Sequence, residues 1–280
     1  MAKGAGMSGP ISSAAASRIV QAAAGRVGLG RNLPVHSARK LAGNHFGLGM
    51  EDYQYVTLTL PNNRWVSAQV SLDGRITVFQ VSPQTSYSAP KNTFVMSEEV
   101  TEKLASKLVV EMGARGSYKA RKFTVSSADP EAMVYFDSVL NGHTFFNLNP
   151  TYGYRIDFNR QTGEVLNYFA PPPIPPVKER VPKIKANEAV KRFEHWGKTH
   201  YRTGGGATYL YGPSWHEIIT LVPELGYYKF KNESYARLVW QGALWTQMNA
   251  QFPKTESGKI RVLLDAITGE LIPPDDPGIN

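Results

Sequence analysis

The chain has 280 residues and no cysteine, so metal binding or acid–base work would fall to histidine and the carboxylates. His195 and His200 are the closest pair of histidines. A spacing of five does not place them on one helical face, as i and i+4 would. With Glu194, and His216 as a third ligand, they would assemble a metal site only if the fold brought them together. These three histidines are the metal candidates, and surface or partly buried histidines without a ligand are the default. His36, His45 and His143 are scattered and form no pattern. Gly197-Lys198-Thr199 ends like a phosphate-binding loop, but the required earlier glycine is Arg192, and the tripeptide follows a helix pattern instead of joining strand to helix. Gly204-Gly205-Gly206 reads as a flexible loop. Neither a Gly-x-Ser-x-Gly elbow nor a His-Glu-x-x-His helix is present. The sequence therefore assigns no catalytic residue and no cofactor.

Carboxylates do recur, beside turns. In Ile260–Ile272, Asp265 can accept a hydrogen bond from the backbone two residues on, and Gly269 can take the left-handed conformation a tight hairpin needs. Ile156–Leu166 repeats the pattern, with Asn159 in place of Asp265 and Thr-Gly-Glu in common; Val70–Val78, around Asp73-Gly74, is a shorter relative. Asp157, Glu164, Asp265 and Glu270 are better explained by turn chemistry than as an acid–base pair. One hairpin pattern at roughly hundred-residue intervals suggests an internal repeat.

Ala236-Arg237-Leu238-Val239-Trp240, leading to a strand that ends Asp265-Ala266-Ile267-Thr268-Gly269-Glu270, resembles the PepSY domain. Leu140–His143 through Tyr154–Asp157 to Thr162–Glu164 resembles, more loosely, the tandem repeat of YcdB/YcdC-type extracytoplasmic proteins. PepSY domains occur in propeptides of thermolysin-like proteases. The resemblance implies a non-enzymatic role, inhibiting or chaperoning a peptidase outside the cytoplasm. No protease domain is attached here, so any inhibition would act in trans.

The elements that must position these residues alternate single helices with meanders. Ile11–Arg26 is an Ala-rich helix capped by Ser12 or Ser13 and stopped by Gly28 and Gly30. Tyr53–Leu60, Trp65–Val70 and Arg75–Val81 form a three-stranded meander. Ser97 opens a helix whose apolar face is Val100, Leu104, Leu108 and Val109, and Gly113 ends it. Strands follow at Lys122–Val125, Met133–Leu140, His143–Asn147, Tyr152–Phe158 and Glu164–Phe169. The prolines of 170–182 favour a stiff polyproline II spacer. A helix at Ala186–Trp196, with Ala189, Val190 and Phe193 inward, precedes strands at Thr208–Tyr211, His216–Leu221, Gly226–Lys231, Ala236–Trp240, Leu244–Phe252 and Lys259–Asp265. The expected fold is α+β, tandem PepSY-like units with each helix packed on an antiparallel meander. Its parts are a basic segment over 1–30, a divergent first unit over 31–90, a second over 91–170, the linker over 171–182 and a third unit over 183–280.

Composition bounds the function. At 42% hydrophobic residues and a mean hydropathy of -0.31 the chain is ordinary globular material, and no apolar run is long enough to span a bilayer. The net charge is +8, yet residues 1–50 hold six basic residues and no acid. The excess belongs to the N-terminal segment, which argues against a broad nucleic-acid-binding face. That basic, acid-free helix is read first as a helix packed on its own sheet, with organellar targeting as the alternative; it lacks the apolar core of a secretory signal. Aromatics crowd the third unit, and Trp215, Tyr235, Trp240 and Trp245 are the candidates for an exposed partner-binding patch, although alternation puts most such residues in a core. An exposed sheet edge would also accept an extended peptide. The reading is a protein-interaction protein with a peptidase as partner. The alternatives are a subunit of a larger assembly docked through the basic arm and the Pro-rich linker, and a metal- or glycan-dependent enzyme.

Overall fold

The computed structural model of the chain describes residues 10–43, 52–82, 97–120, 131–146, 153–171, 173–200, 218–220, 222–230, 233–246 and 259–272. In chain order the elements are α1 (Ser13–Arg26), β1 (Val35–Leu41), β2 (Tyr53–Leu60), β3 (Arg64–Ser71), β4 (Ile76–Val81), α2 (Glu98–Glu111), β5 (Ser117–Ala120), β6 (Glu131–Leu140), β7 (His143–Phe145), β8 (Gly153–Asn159), β9 (Val165–Phe169), α3 (Ala186–His200), β10 (Ile218–Thr220), β11 (Glu224–Tyr228), β12 (Arg237–Thr246), β13 (Lys259–Asp265) and β14 (Leu271–Ile272). Strand holds 44% of the described residues and helix 22%. Two units can be distinguished, one from residues 1–138 and 150–172, the other from 139–149 and 173–280.

In the first unit the strand order is β1-β2-β3-β4-β9-β8-β6, with β5 beside β6. Its named pairs are antiparallel. The link that matters is β4 to β9, Val78 opposite Phe169. It crosses the expected border at residue 90. In the second unit β11 pairs antiparallel with β12 but parallel with β7, Gly226 opposite Thr144, which again joins segments expected to be separate. The expected string of helix-on-meander units is therefore wrong: strand dominates, pairing is mixed, and the meanders share sheet. The physical reason is that alternation fixes which face of a strand is buried and leaves open which edge it pairs with.

Local chemistry explains the helices. Ser12 caps α1, its hydroxyl accepting from Ala15 N–H at 3.2 Å, and the buried stripe is Ala16, Val20, Ala23 and Ala24. Alanine on that stripe lets the helix sit close to the sheet. Ser97 caps α2 in the same way. Here the inward face is Thr101, Ala105, Leu108, Val109 and Met112, so Val100, expected inside, is 51% exposed. Helix α1 packs on β1, β2 and β3 and α2 on β8. Val56, Leu58, Val66, Phe79, Phe136, Ile156, Phe158 and Tyr168 meet them in one core. In the second unit Ala189, Phe193 and Trp196 line the buried side of α3, which packs on β10 and β12. The Pro-rich stretch has a fixed neighbour in this unit: Ala236 N–H donates to Pro176, and Lys183 and Ile184 donate to Ala266.

One strand boundary is corrected, and one buried hydroxyl stands out. The segments Ala236–Trp240 and Leu244–Phe252 were expected as separate strands around Gln241-Gly242-Ala243; β12 runs straight through. Gly242 is there because a Cβ would stand 2.7 Å from the Phe193 ring, a close approach that leaves no room for a side chain. The Tyr53 hydroxyl, on β2, is buried and has no hydrogen-bond partner among the described residues. Tyr53→Phe is accordingly expected to be neutral or to stabilise by about 1 kcal/mol in urea unfolding. A loss of stability of that size would mean the hydroxyl is satisfied after all.

Candidate functional site

The turns that attracted attention as carboxylate clusters are two copies of one hydrogen-bond pattern. Asn159 Oδ1 accepts from the N–H groups of Gln161 and Thr162 at 2.9 and 3.2 Å. Asp265 Oδ1 accepts from Ile267 and Thr268 at 2.8 and 3.0 Å. Thr162 and Thr268 hydroxyls each accept from the following glutamate N–H at 3.2 Å. Gly163 and Gly269 both have φ of 75°, the left-handed conformation the pattern requires. Glu164 pairs with Arg64 at 2.6 Å, half-sheltered, whereas Glu270 is largely exposed. These side chains shape turns and ion pairs. Nothing in their geometry sets two carboxylates across a reacting bond.

The metal candidates lie only partly within the described residues. His195 is exposed on α3, His200 is its last residue, and Gly197-Lys198-Thr199 lies inside the same helix. His216, Trp215 and Gly204–Gly206 lie outside the described residues. Among the described residues no three His, Asp or Glu side chains gather as a metal site. Of the aromatic candidates, Tyr235 is half-buried with the Lys178 ammonium 3.8 Å from its ring centre. Trp240 is buried, and its indole N–H donates to Ile184 at 2.8 Å. Trp245 stands on β12 opposite Ile219 and Lys259.

The surface with the chemistry of recognition is elsewhere, on the first unit. Both of its helices pack on one side of the sheet, and the pairing register lines up the other side in two rows. One row is Arg39–Tyr55–Gln69–Val78–Phe169–Arg155–Tyr135. The other is Ser37–Thr57–Ser67–Gln80–Asn167–Asp157–Met133. Trp65, 54% exposed, stands beside them on β3, and Met133 is 39% exposed. Seven strands give six intervals of about 4.8 Å, so each row is about 29 Å long. Among the described residues no helix covers this side.

Arg155 and Asp157 are the fixed point of that surface. Asp157 is 1% exposed and binds the guanidinium side-on, Nε to Oδ1 at 2.7 Å and Nη2 to Oδ2 at 2.8 Å. Asn167 donates to Oδ2 at 2.9 Å. Tyr135 and Phe169 place their rings 5.8 and 5.4 Å from the Arg155 carbon Cζ. The hydrogen bonds to Asp157 hold the guanidinium pKa above its ordinary value, against the opposing effect of partial burial. Arg237 in the second unit is raised likewise, first by its hydrogen bonds to Glu233, with Asp265 adding charge.

No protein-family model and no curated protein matches the sequence. Among solved structures the chain resembles an uncharacterized protein from Eubacterium rectale ATCC 33656, with a TM-score of 0.53 and 13% identity over 91% of this chain and 80% of that one. The likeness is one of fold. It leaves activity open.

The two rows were missed in the sequence because they depend on pairing. Tyr55, Gln69 and Arg155 alternate outward along their strands, a signal visible in each strand alone. That they stand side by side follows from β4 meeting β9, and no local pattern reports it.

Proposed function

We propose that the protein acts by binding another protein through the helix-free side of its first unit. The observation that carries this is the make-up of that surface. Trp65, Tyr55, Tyr135, Phe169, Met133 and Arg155 are the residue types concentrated at the centres of protein interfaces, and lysine is absent from both rows. Hydroxyls and amides between them supply hydrogen bonds, and the one charge-paired group at the centre, Arg155, is held by Asp157. The PepSY resemblance adds a candidate partner, a metallopeptidase inhibited or chaperoned in trans by a surface that offers no cleavable bond.

The test is a titration of the purified protein into a thermolysin-type peptidase, with wild type compared against Trp65→Ala and Tyr135→Ala. Inhibition that weakens at least tenfold in either variant, about 1.4 kcal/mol, supports the reading. Inhibition untouched by both variants would move the contact off this surface. Recovery of the protein in a fixed multi-subunit complex with no peptidase would favour the alternative of a structural subunit.

A further inference from the structure

Strand β1 was not expected from the sequence, and it is where the pairing path of the first unit ends. Among the described residues it hydrogen-bonds to β2 alone, on one side. Among described strands with a single partner it is the longest, seven residues against four in β5, three in β10 and two in β14. An edge of this kind offers a row of backbone N–H and C=O groups to another strand.

The charges on β1 select what can be added. His36, Arg39 and Lys40 are exposed, and the strand has no acidic residue. Lys40 is engaged by Asp52 at 2.8 Å, and this ammonium holds the Asp52 carboxylate below its usual pKa. Arg39 has no carboxylate partner among the described residues, and it is the first member of the long aromatic row, beside Tyr55. Ser37 through Leu41 keep an unbroken register with β2; the irregularity lies before them, between Val35 and Ser37. A second copy of the chain would bring its own arginine and lysine against these, and like charges on facing strands repel.

We propose that the β1 edge, over Ser37–Leu41, is a docking site for an acidic extended segment of a partner protein, which adds as a further strand with a carboxylate opposite Arg39. The proposal rests on the interaction reading above and names a second point of contact for it. Backbone hydrogen bonds supply affinity in such an addition, and the side chain facing Arg39 supplies choice. The added residue would lengthen the row that begins at Arg39, setting its carboxylate next to the guanidinium on the side away from Tyr55.

The probe is a capped octapeptide alternating glutamate with valine and threonine, with the same peptide carrying lysine for glutamate as its control. Amide hydrogen exchange on the full chain should slow at residues 37–41 with the acidic peptide and stay unchanged with the basic one. Arg39→Glu should weaken the acidic peptide about tenfold and admit the basic one, because an attractive cross-strand pair becomes repulsive. Arg39→Gln should fall between. Protection elsewhere, no protection at all, or equal binding by wild type and Arg39→Glu would overturn the proposal. Failure of the peptide with peptidase inhibition still lost in Trp65→Ala would end the edge site and leave the first reading standing; loss of both would end both.

Discussion

Asp157→Ala is expected to remove about 2–3 kcal/mol of stability, less than the roughly 3–5 kcal/mol for breaking a fully buried ion pair from one side, because the guanidinium left behind keeps partial contact with solvent. Asp157 accepts from Arg155 twice and from Asn167 once while itself almost fully buried. The alanine variant leaves a guanidinium between the Tyr135 and Phe169 rings with its counter-charge gone, and an amide with no acceptor. Urea unfolding of the alanine variant measures the loss. Asp157→Asn keeps the shape and one acceptor and should lose less. Replacing both members, Arg155→Met with Asp157→Leu, should recover much of the loss, since the two desolvation penalties go together. A change below about 1 kcal/mol for the alanine variant would show that the pair is solvated and that the surface around Arg155 is not pre-organised.

Gly226→Ala should cost about 3 kcal/mol, near the upper range for forcing extra volume into a packed site. A Cβ there would fall on the Thr144 carbonyl oxygen and 2.5 Å from the Phe146 ring. The oxygen belongs to the backbone of β7, directly opposite in the parallel pair, so relief requires the strand itself to move. Gly242→Ala is the informative comparison. Its obstacle is the ring of Phe193, a side chain that can shift, and the cost should be smaller, about 1–2 kcal/mol. Equal losses in thermal or urea unfolding would mean that Phe193 is held as firmly as backbone.

Turn chemistry was legible because it is written in adjacent residues. Asn159 and Asp265, with the glycines four positions on, specify their hairpins unaided, and Ser12 and Ser97 mark helix starts in the same local way. Strands with both alternation and branched or aromatic residues were legible too, β2 and β13 to the residue. Strand β1 was not: Val-His-Ser-Ala-Arg-Lys-Leu has neither a repeating apolar position nor a turn marker, because one neighbour and an exposed edge ask little of its side chains. Val100 was placed inside because it opens an apolar i, i+4 series; the face that α2 actually buries starts one residue later, at Thr101, whose hydroxyl is satisfied by Ser97 C=O at 2.8 Å. The architecture was misjudged for a different reason. Pairing between β4 and β9, and between β7 and β11, joins residues tens of positions apart, and a strand's edges carry no address. The proposed interaction surface inherits that blindness, since its rows exist only once those edges have met.

The β4–β9 pairing also sets a timetable for synthesis. Val78 and Phe169 lie about 90 residues apart, so the ribosome must make everything between them before β4 has its partner. At about 5–20 residues per second that interval lasts roughly 5–18 s. Throughout it the nascent chain carries the four strands β1 to β4 with the outer edge of β4 still unpaired, a form prone to pair with a neighbour on the same messenger. The parallel strand β7 waits in turn for β11, about 80 residues further on. The late-made strands thus act as the closing pieces of sheets begun much earlier, and a pause in translation shortly before residue 169 would hold the chain in its stickiest form.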